Sequence, residues 1–431
     1  MRQLLADKVS GSLVGLWLLV PEHLRLGTWD LLCGWTGRPG EDVEPRLALQ
    51  LVNEAALCVT GERETRCLNH KEFELANGLH FLATDAAIHD LLGAHTVAEA
   101  ESLQVTLGRL RRASGHFPGQ LLAIDPHRTR SWSKRHMRLH RHKDGTPAVK
   151  TAQTFFCLDT LSSQPVCFAS GTSARTVAHA TPGLLRLAAE ILHPVPHQLL
   201  VLADGEHFTA PLIEDVVANT PFDLLVPAPS QRALEARMRA VPQEAFTPRW
   251  AGFATARVPY QFKAGAGPYH LLIERAGERP EGYDFHGFLS TTDRDEVQAL
   301  TRDFPDRWHV EEFLNLDQHI GWARAGTPNL NIRYGHMTLA LIAQAVIHQL
   351  RQRLGPKAAN WNAQHLANSL FRGIEGDVRA CEDTLLVTFY NAPDVDVLRQ
   401  HYEHLPEKLE AQNIDPRVPW LYGLKLDFCF R

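Results

Sequence analysis

The chain has 431 residues, 44% hydrophobic and 22% charged, with a formal net charge of −5. That length exceeds one ordinary core and implies two or three domains, while the composition excludes wholesale disorder. A protein that coats nucleic acid without further structure is basic overall, so any DNA contact here requires a local concentration of cations.

The seven cysteines, Cys33, Cys58, Cys67, Cys157, Cys167, Cys381 and Cys429, contain no CxxC pair. This argues against a zinc ribbon or a disulfide framework and fits a reducing, cytoplasmic setting. The apolar run at 13–20 stops at Pro21, far short of a membrane span. Asp7 in its leading region and the lack of a small-residue cleavage site make it a poor secretion signal. No membrane partner is expected.

Residues 1–118 are predicted to be mainly helical. The segments 45–59 and 86–113 carry apolar residues at helical spacing, with Gly, Asn and Asp punctuation between them. The period changes near residue 120. Apolar runs at 120–125, 148–160, 164–170, 198–204 and 222–229 read as strands, and 182–192 and 210–219 as helices. The order is three strands, helix, strand, helix, strand, which suits a mixed α/β sheet faced by helices. Alternating, aromatic-bearing strands then fill about 247–292, helices follow at 304–315 and 334–354, and 355–431 mixes strand and helix.

Three carboxylates stand out. Asp125 and Asp204 each close an apolar strand, and open α/β sheets build their sites at such ends. For either aspartate alone, a turn or cap role is the commoner one. Glu311 supplies a third. Two aspartates and a glutamate can hold two Mg²⁺ or Mn²⁺ ions through hard oxygen ligands, the donor set used in phosphodiester chemistry. Arg307, Glu311 and Gln318, spaced by four and seven, share one face of the predicted helix, because three turns take about 10.8 residues. Glu312 points about 100° away. Glu206 reads as a helix-start acid.

A basic run follows Asp125 directly. Residues 127–143 hold Arg128, Arg130, Lys134, Arg135, Arg138, Arg141 and Lys143, and no acid among 127–143. This is the local concentration that DNA binding demands, and Trp132 within it is suited to stack on an unpaired base. A solvated charged loop is the plainer alternative. His136, His140 and His142 lie in the same cationic stretch without the spacing of a metal site.

In these residues the chain resembles the DDE transposases of the IS4-like group. The family's glutamate motif reads Tyr-x2-Arg-x3-Glu-x6-Lys. Phe304, Arg307, Glu311 and Gln318 occupy its positions, with Phe in place of Tyr and Gln in place of Lys. Asp125 in LLAIDPHRTRS and Asp204 in VLADGEHF match the two aspartates. The long interval from Asp204 to Glu311 matches the family's β-rich insertion.

The resemblance implies an RNase H-like mixed sheet with helices on both faces over 119–354, interrupted by the insertion at about 247–292. It implies a helical accessory DNA-binding region at 1–118 and leaves 355–431 as an α+β region. Asp125, Asp204 and Glu311 would be catalytic and hold two Mg²⁺ or Mn²⁺ ions. Arg307, Gln318 and Phe304 would face DNA, with Arg128, Arg130, Trp132, Lys134, Arg135 and Arg138 nearby. The implied activity is cleavage at transposon ends followed by attack of the freed 3′-hydroxyl on target DNA, by a homodimer on double-stranded DNA at the nucleoid. A metal-dependent nuclease without joining, and a non-enzymatic DNA-binding protein derived from a transposase, are the alternatives.

Overall fold

The computed structural model describes residues 8–37, 43–59, 68, 70–141, 146–263, 265, 267–322, 327 and 329–431. Cys67, His142 and Lys143 lie outside these. The chain forms two compact units, one of residues 112–313 and one of 1–111 together with 314–431. The boundaries therefore differ from those expected at 118 and 354. The chain's two outer parts share a core through strand pairing remote in sequence, which no local pattern reports.

In the unit 112–313, the strand Leu121–Arg130 pairs antiparallel with Val149–Asp159, which pairs antiparallel with Gln164–Thr172. On its other edge Leu121–Arg130 pairs in parallel with Leu200–Leu202, which pairs in parallel with Asp223–Pro227. Numbered along the chain, these five strands lie in the order third, second, first, fourth, fifth. The parallel pairs need crossovers, and the helices Val177–Leu192 and Ala210–Asn219 supply them. The first helix begins before the predicted 182, so Pro182 sits inside it.

The strands of the 247–292 region are present and extend the same sheet. Asp284–Ser290 pairs antiparallel with Asp223–Pro227, and Tyr269–Ala276, Phe253–Tyr260 and Thr247–Trp250 follow in order. Leu200 and Leu202 pack with Leu225, Leu272, Ala299 and Leu300 on one face, and Val201, pointing to the other, is equally buried. Both faces of the central strands are covered, which explains their near-continuous apolar runs.

In the other unit, the helix Leu330–Leu354 packs against Val43–Ala56 and Asp85–Ala94. Asp317 accepts two hydrogen bonds from Arg351, at 2.9 and 2.8 Å, and one from Gln344 at 2.7 Å, all buried. A five-stranded sheet joins the early strand Val9–Gly11 to the late strands Gly376–Cys381, Thr384–Phe389, Leu424–Phe430 and Arg417–Val418. No helix among the described residues is long and apolar enough to cross a membrane.

Candidate active site

Register brings the two aspartates together. The last parallel pair between their strands is Ala123 with Leu202. Asp125 and Asp204 each follow by two residues, on neighbouring chains whose spacing in a sheet is about 4.8 Å. Asp125 is not the strand terminus that the sequence led one to expect. Its strand continues to Arg130, paired on one edge only, with Val149–Asp159. The parallel partner has ended by then, so Pro126 lies where the strand has an edge character that tolerates a missing N–H. Asp125 thus sits where the sheet opens, with its side chain 20% exposed.

Asp204 caps a short 3₁₀ turn, Gly205–His207. Its Oδ1 accepts the Glu206 N–H at 3.1 Å and lies 2.6 Å from His207 Nδ1. The plain cap role and membership of an acidic site therefore coincide in one residue. Glu206 is in the first turn, as expected, and binds Arg128 Nη2 at 2.6 Å. Arg128 Nε also donates to Gln153 Oε1 at 3.0 Å, tying this turn to the adjacent strands.

Glu311 arrives differently from the way the sequence suggested. The segment 304–318 is not one α-helix. Phe304–Trp308 is a 3₁₀ turn, the α-helix is His309–Asp317, and Gln318 begins another 3₁₀ turn, Gln318–Ile320. Pro305 has no N–H to donate to an α-helical ladder, which accounts for the tight start. The common face predicted for Arg307, Glu311 and Gln318 is therefore lost at both ends. Gln318 belongs to the other compact unit. Phe304 is half-buried and packs edge-on against Phe288, 4.8 Å between ring centroids, so it serves the core.

Arg307 nonetheless meets Glu311. Its Nη2 lies 3.7 Å from Glu311 Oε1, and its Nη1 donates to Asp125 Oδ1 at 3.5 Å. The guanidinium thus bridges the first and third carboxylates. Glu312 faces elsewhere, 52% exposed, with its Oε2 2.8 Å from His309 Nδ1.

The electrostatics show the same convergence. Burial pushes the Asp125 carboxyl up to about 7, the Asp204 and Glu311 charges add to this, and Arg307 and Arg128 oppose it. Burial also pushes Asp204 upward. The His207 hydrogen bond and charge, the Glu206 N–H and Arg307 outweigh it and hold Asp204 below the usual carboxylate value. Three oxygen-only side chains at a sheet opening, one of them strained by its like-charged neighbours, form a donor set suited to hard divalent cations. Among the described residues, no three acidic, histidine or cysteine side chains converge tightly enough to share one ion in this arrangement. The guanidinium of Arg307 stands between two of them.

The basic run is largely an exposed loop. Arg130, Lys134, Arg135, Arg138 and Arg141 are exposed and form no ion pair among the described residues. Trp132 is 78% exposed, and the Arg130 guanidinium stacks over it at 4.0 Å. Lys150, not singled out from sequence, holds the loop from beneath by donating to the Ser133 and Arg135 carbonyls at 3.0 and 2.6 Å. At about 3.3 Å per residue, the strand carries the chain about 17 Å from Asp125 to Arg130.

Sequence reasoning missed His207, Gln153 and Lys150. The His207 signal was its position three residues after Asp204, informative only once a turn is known to lie there.

No protein-family model and no curated protein matches the chain. Among solved structures, the chain is similar to that in a cryo-EM structure of the piggyBac transposase synaptic complex with hairpin DNA, at 13% identity and a TM-score of 0.41, covering 85% of this chain and 82% of that one. A likeness at that score carries no argument about fold or activity, so the functional reading rests on the site.

Proposed function

We propose that this chain is a DNA transposase of the DDE type, of the IS4-like group, acting through an RNase H-like core. One observation carries the proposal. Asp204 and Glu311, read from sequence together with Asp125, both act electrostatically on Asp125, with Arg307 bridging Asp125 and Glu311. The strand order, three antiparallel strands extended by two parallel ones, supports the RNase H-like reading.

Asp125, Asp204 and Glu311 would hold Mg²⁺ or Mn²⁺. When bound, such ions lower the pKa of an attacking water or hydroxyl and stabilise charge on the leaving oxygen. The residues of the chain do the rest. Arg307, beside Asp125 and Glu311, has the planar fork that would grip a phosphate in two places. Arg130, Lys134, Arg135 and Arg138 neutralise backbone phosphates along the duplex, with Arg128 nearer the acids and Trp132 offering a stacking face. In the first step a water attacks the phosphorus at the transposon end and the 3′-oxygen leaves as a hydroxyl. In the second, that 3′-hydroxyl attacks a target phosphodiester and displaces a target 3′-oxygen. Action would be by a homodimer on paired ends. Phe304, packed in the core, and Gln318 are weaker candidates for DNA contact than Arg307.

The test is a cleavage and joining assay on labelled duplex from the gene's own flanks, with Mg²⁺ or Mn²⁺. Wild type is compared with Asp204→Ala and Glu311→Ala. Metal-dependent nicking at one position, lost in both variants and followed by joined products, is expected. Nicking without joining would leave a nuclease. Binding without a cut, unchanged by either substitution, would leave a DNA-binding protein.

A further inference from the structure

His207 follows Asp204 by three residues, and the 3₁₀ turn Gly205–His207 folds it back against the aspartate. Its side chain is 2% exposed, so the ring is held by packing. Nδ1 lies 2.6 Å from Asp204 Oδ1, which also accepts the Glu206 N–H at 3.1 Å. One oxygen of the carboxylate is thereby engaged twice. The other, Oδ2, accepts no hydrogen bond among the described residues. A carboxylate with no such restraint rotates about its terminal torsion through a broad range. Here two donors at one oxygen fix that rotation.

We propose that His207 is a positioning residue, which holds Asp204 so that Oδ2 is the oxygen presented to a divalent cation. The inference rests on the transposase reading of this site. It requires an N–H on Nδ1, because a carboxylate oxygen can only accept. Supporting donors of this kind typically contribute about 10- to 100-fold to metal affinity. Ala at 207 removes the donor and the packing together. Asn at 207 places an amide N–H near where Nδ1 stood, so it separates the two effects.

The experiment is Mn²⁺ binding to the full chain, without DNA, measured by electron paramagnetic resonance. The proteins are wild type, His207→Ala, His207→Asn and Asp204→Ala, with circular dichroism to verify folding. The expected result is Mn²⁺ binding by wild type, loss in Asp204→Ala, weakening by about 10- to 100-fold in His207→Ala, and recovery of most of that loss in His207→Asn. In the cleavage assay at saturating DNA and subsaturating Mn²⁺ the same order should appear in kcat, with KM for DNA unchanged. Wild-type Mn²⁺ affinity in a folded His207→Ala would overturn the positioning role and leave the transposase reading standing. Equal weakening in a folded His207→Asn and His207→Ala would also overturn it. Absence of Mn²⁺ binding by wild type itself would overturn the metal reading of the site and this inference with it.

Discussion

Replacing Asp125 by Asn should make the protein more stable while abolishing its chemistry. The folded state raises the Asp125 carboxyl from 3.8 to about 7, through burial first and the Asp204 and Glu311 charges second. An acid whose folded pKa lies above its unfolded one binds its proton more tightly when folded. Its contribution to stability is therefore present at pH 4 and lost as pH rises through 7. At about 1.36 kcal/mol per unit, the ionised carboxylate at pH 8 costs up to about 4 kcal/mol. The attraction of Arg307 is already included. Asn keeps the shape of the protonated acid and carries no charge. In urea unfolding with EDTA, Asp125→Asn should match wild type at pH 4 and exceed it at pH 8 by about 2–4 kcal/mol. Hydrogen exchange of the Leu121–Arg130 amides localises the gain to this unit. Added Mn²⁺ should stabilise wild type and leave the variant unmoved, since a ligand of the folded state shifts unfolding only where it binds. A variant equal to or less stable than wild type at pH 8 would refute the claim that burial and the acidic neighbours raise the Asp125 carboxyl in the folded chain.

Arg307→Gln should act in the opposite direction at pH 8, lowering stability because two carboxylates lose their shared cation, and should cut the cleavage rate by about 10²-fold or more; urea midpoints and single-turnover cleavage read the two effects. Replacing Lys134, Arg135 and Arg138 together by Gln should weaken binding to all duplexes alike and reduce the slope of log K against log salt by about 3, measured by fluorescence anisotropy. An unchanged slope would mean these side chains touch no phosphate. Asp317→Ala leaves the Arg351 guanidinium buried without its partner and should cost about 3–5 kcal/mol, seen as a lower urea midpoint for the unit that contains it.

Several parts of this arrangement were legible in the residues. An apolar run followed by an acid located Asp125 and Asp204, because buried strands and their open ends differ sharply in polarity. The choice of Glu311 over Glu312 came from the register of the family motif, with the helical face in agreement, and Arg307 does lie beside Glu311. What failed was continuity. The strand through Asp125 runs on to Arg130 because Val149–Asp159 pairs with it, whereas its polar residues read locally as a loop. Arg307, Glu311 and Gln318 were assigned one face on the assumption of a uniform helix, and Pro305 and the break at Gln318 divide that segment into three. Arg128 read as one cation among several, yet it is held by Glu206 and Gln153, partners that only the folded sheet brings near. Pairings such as Val9 with Val378 leave no trace in any window of sequence.

That last pairing sets a timetable. A chain emerges from the ribosome in order, and domains ordinarily fold in the order they emerge. Here 378 − 9 gives a gap of 369 residues between paired strands, so the earlier strand waits that long for its partner. The unit 112–313 has all its strands in hand long before, and it can complete its sheet while the opening helices still lack their partners. Closing so long a loop is the slow kind of contact. During that wait the apolar residues of 13–20, buried in the finished protein, stand exposed. Nascent chains halted near residue 320 should therefore yield a protease-resistant central core and a cleavable leading segment.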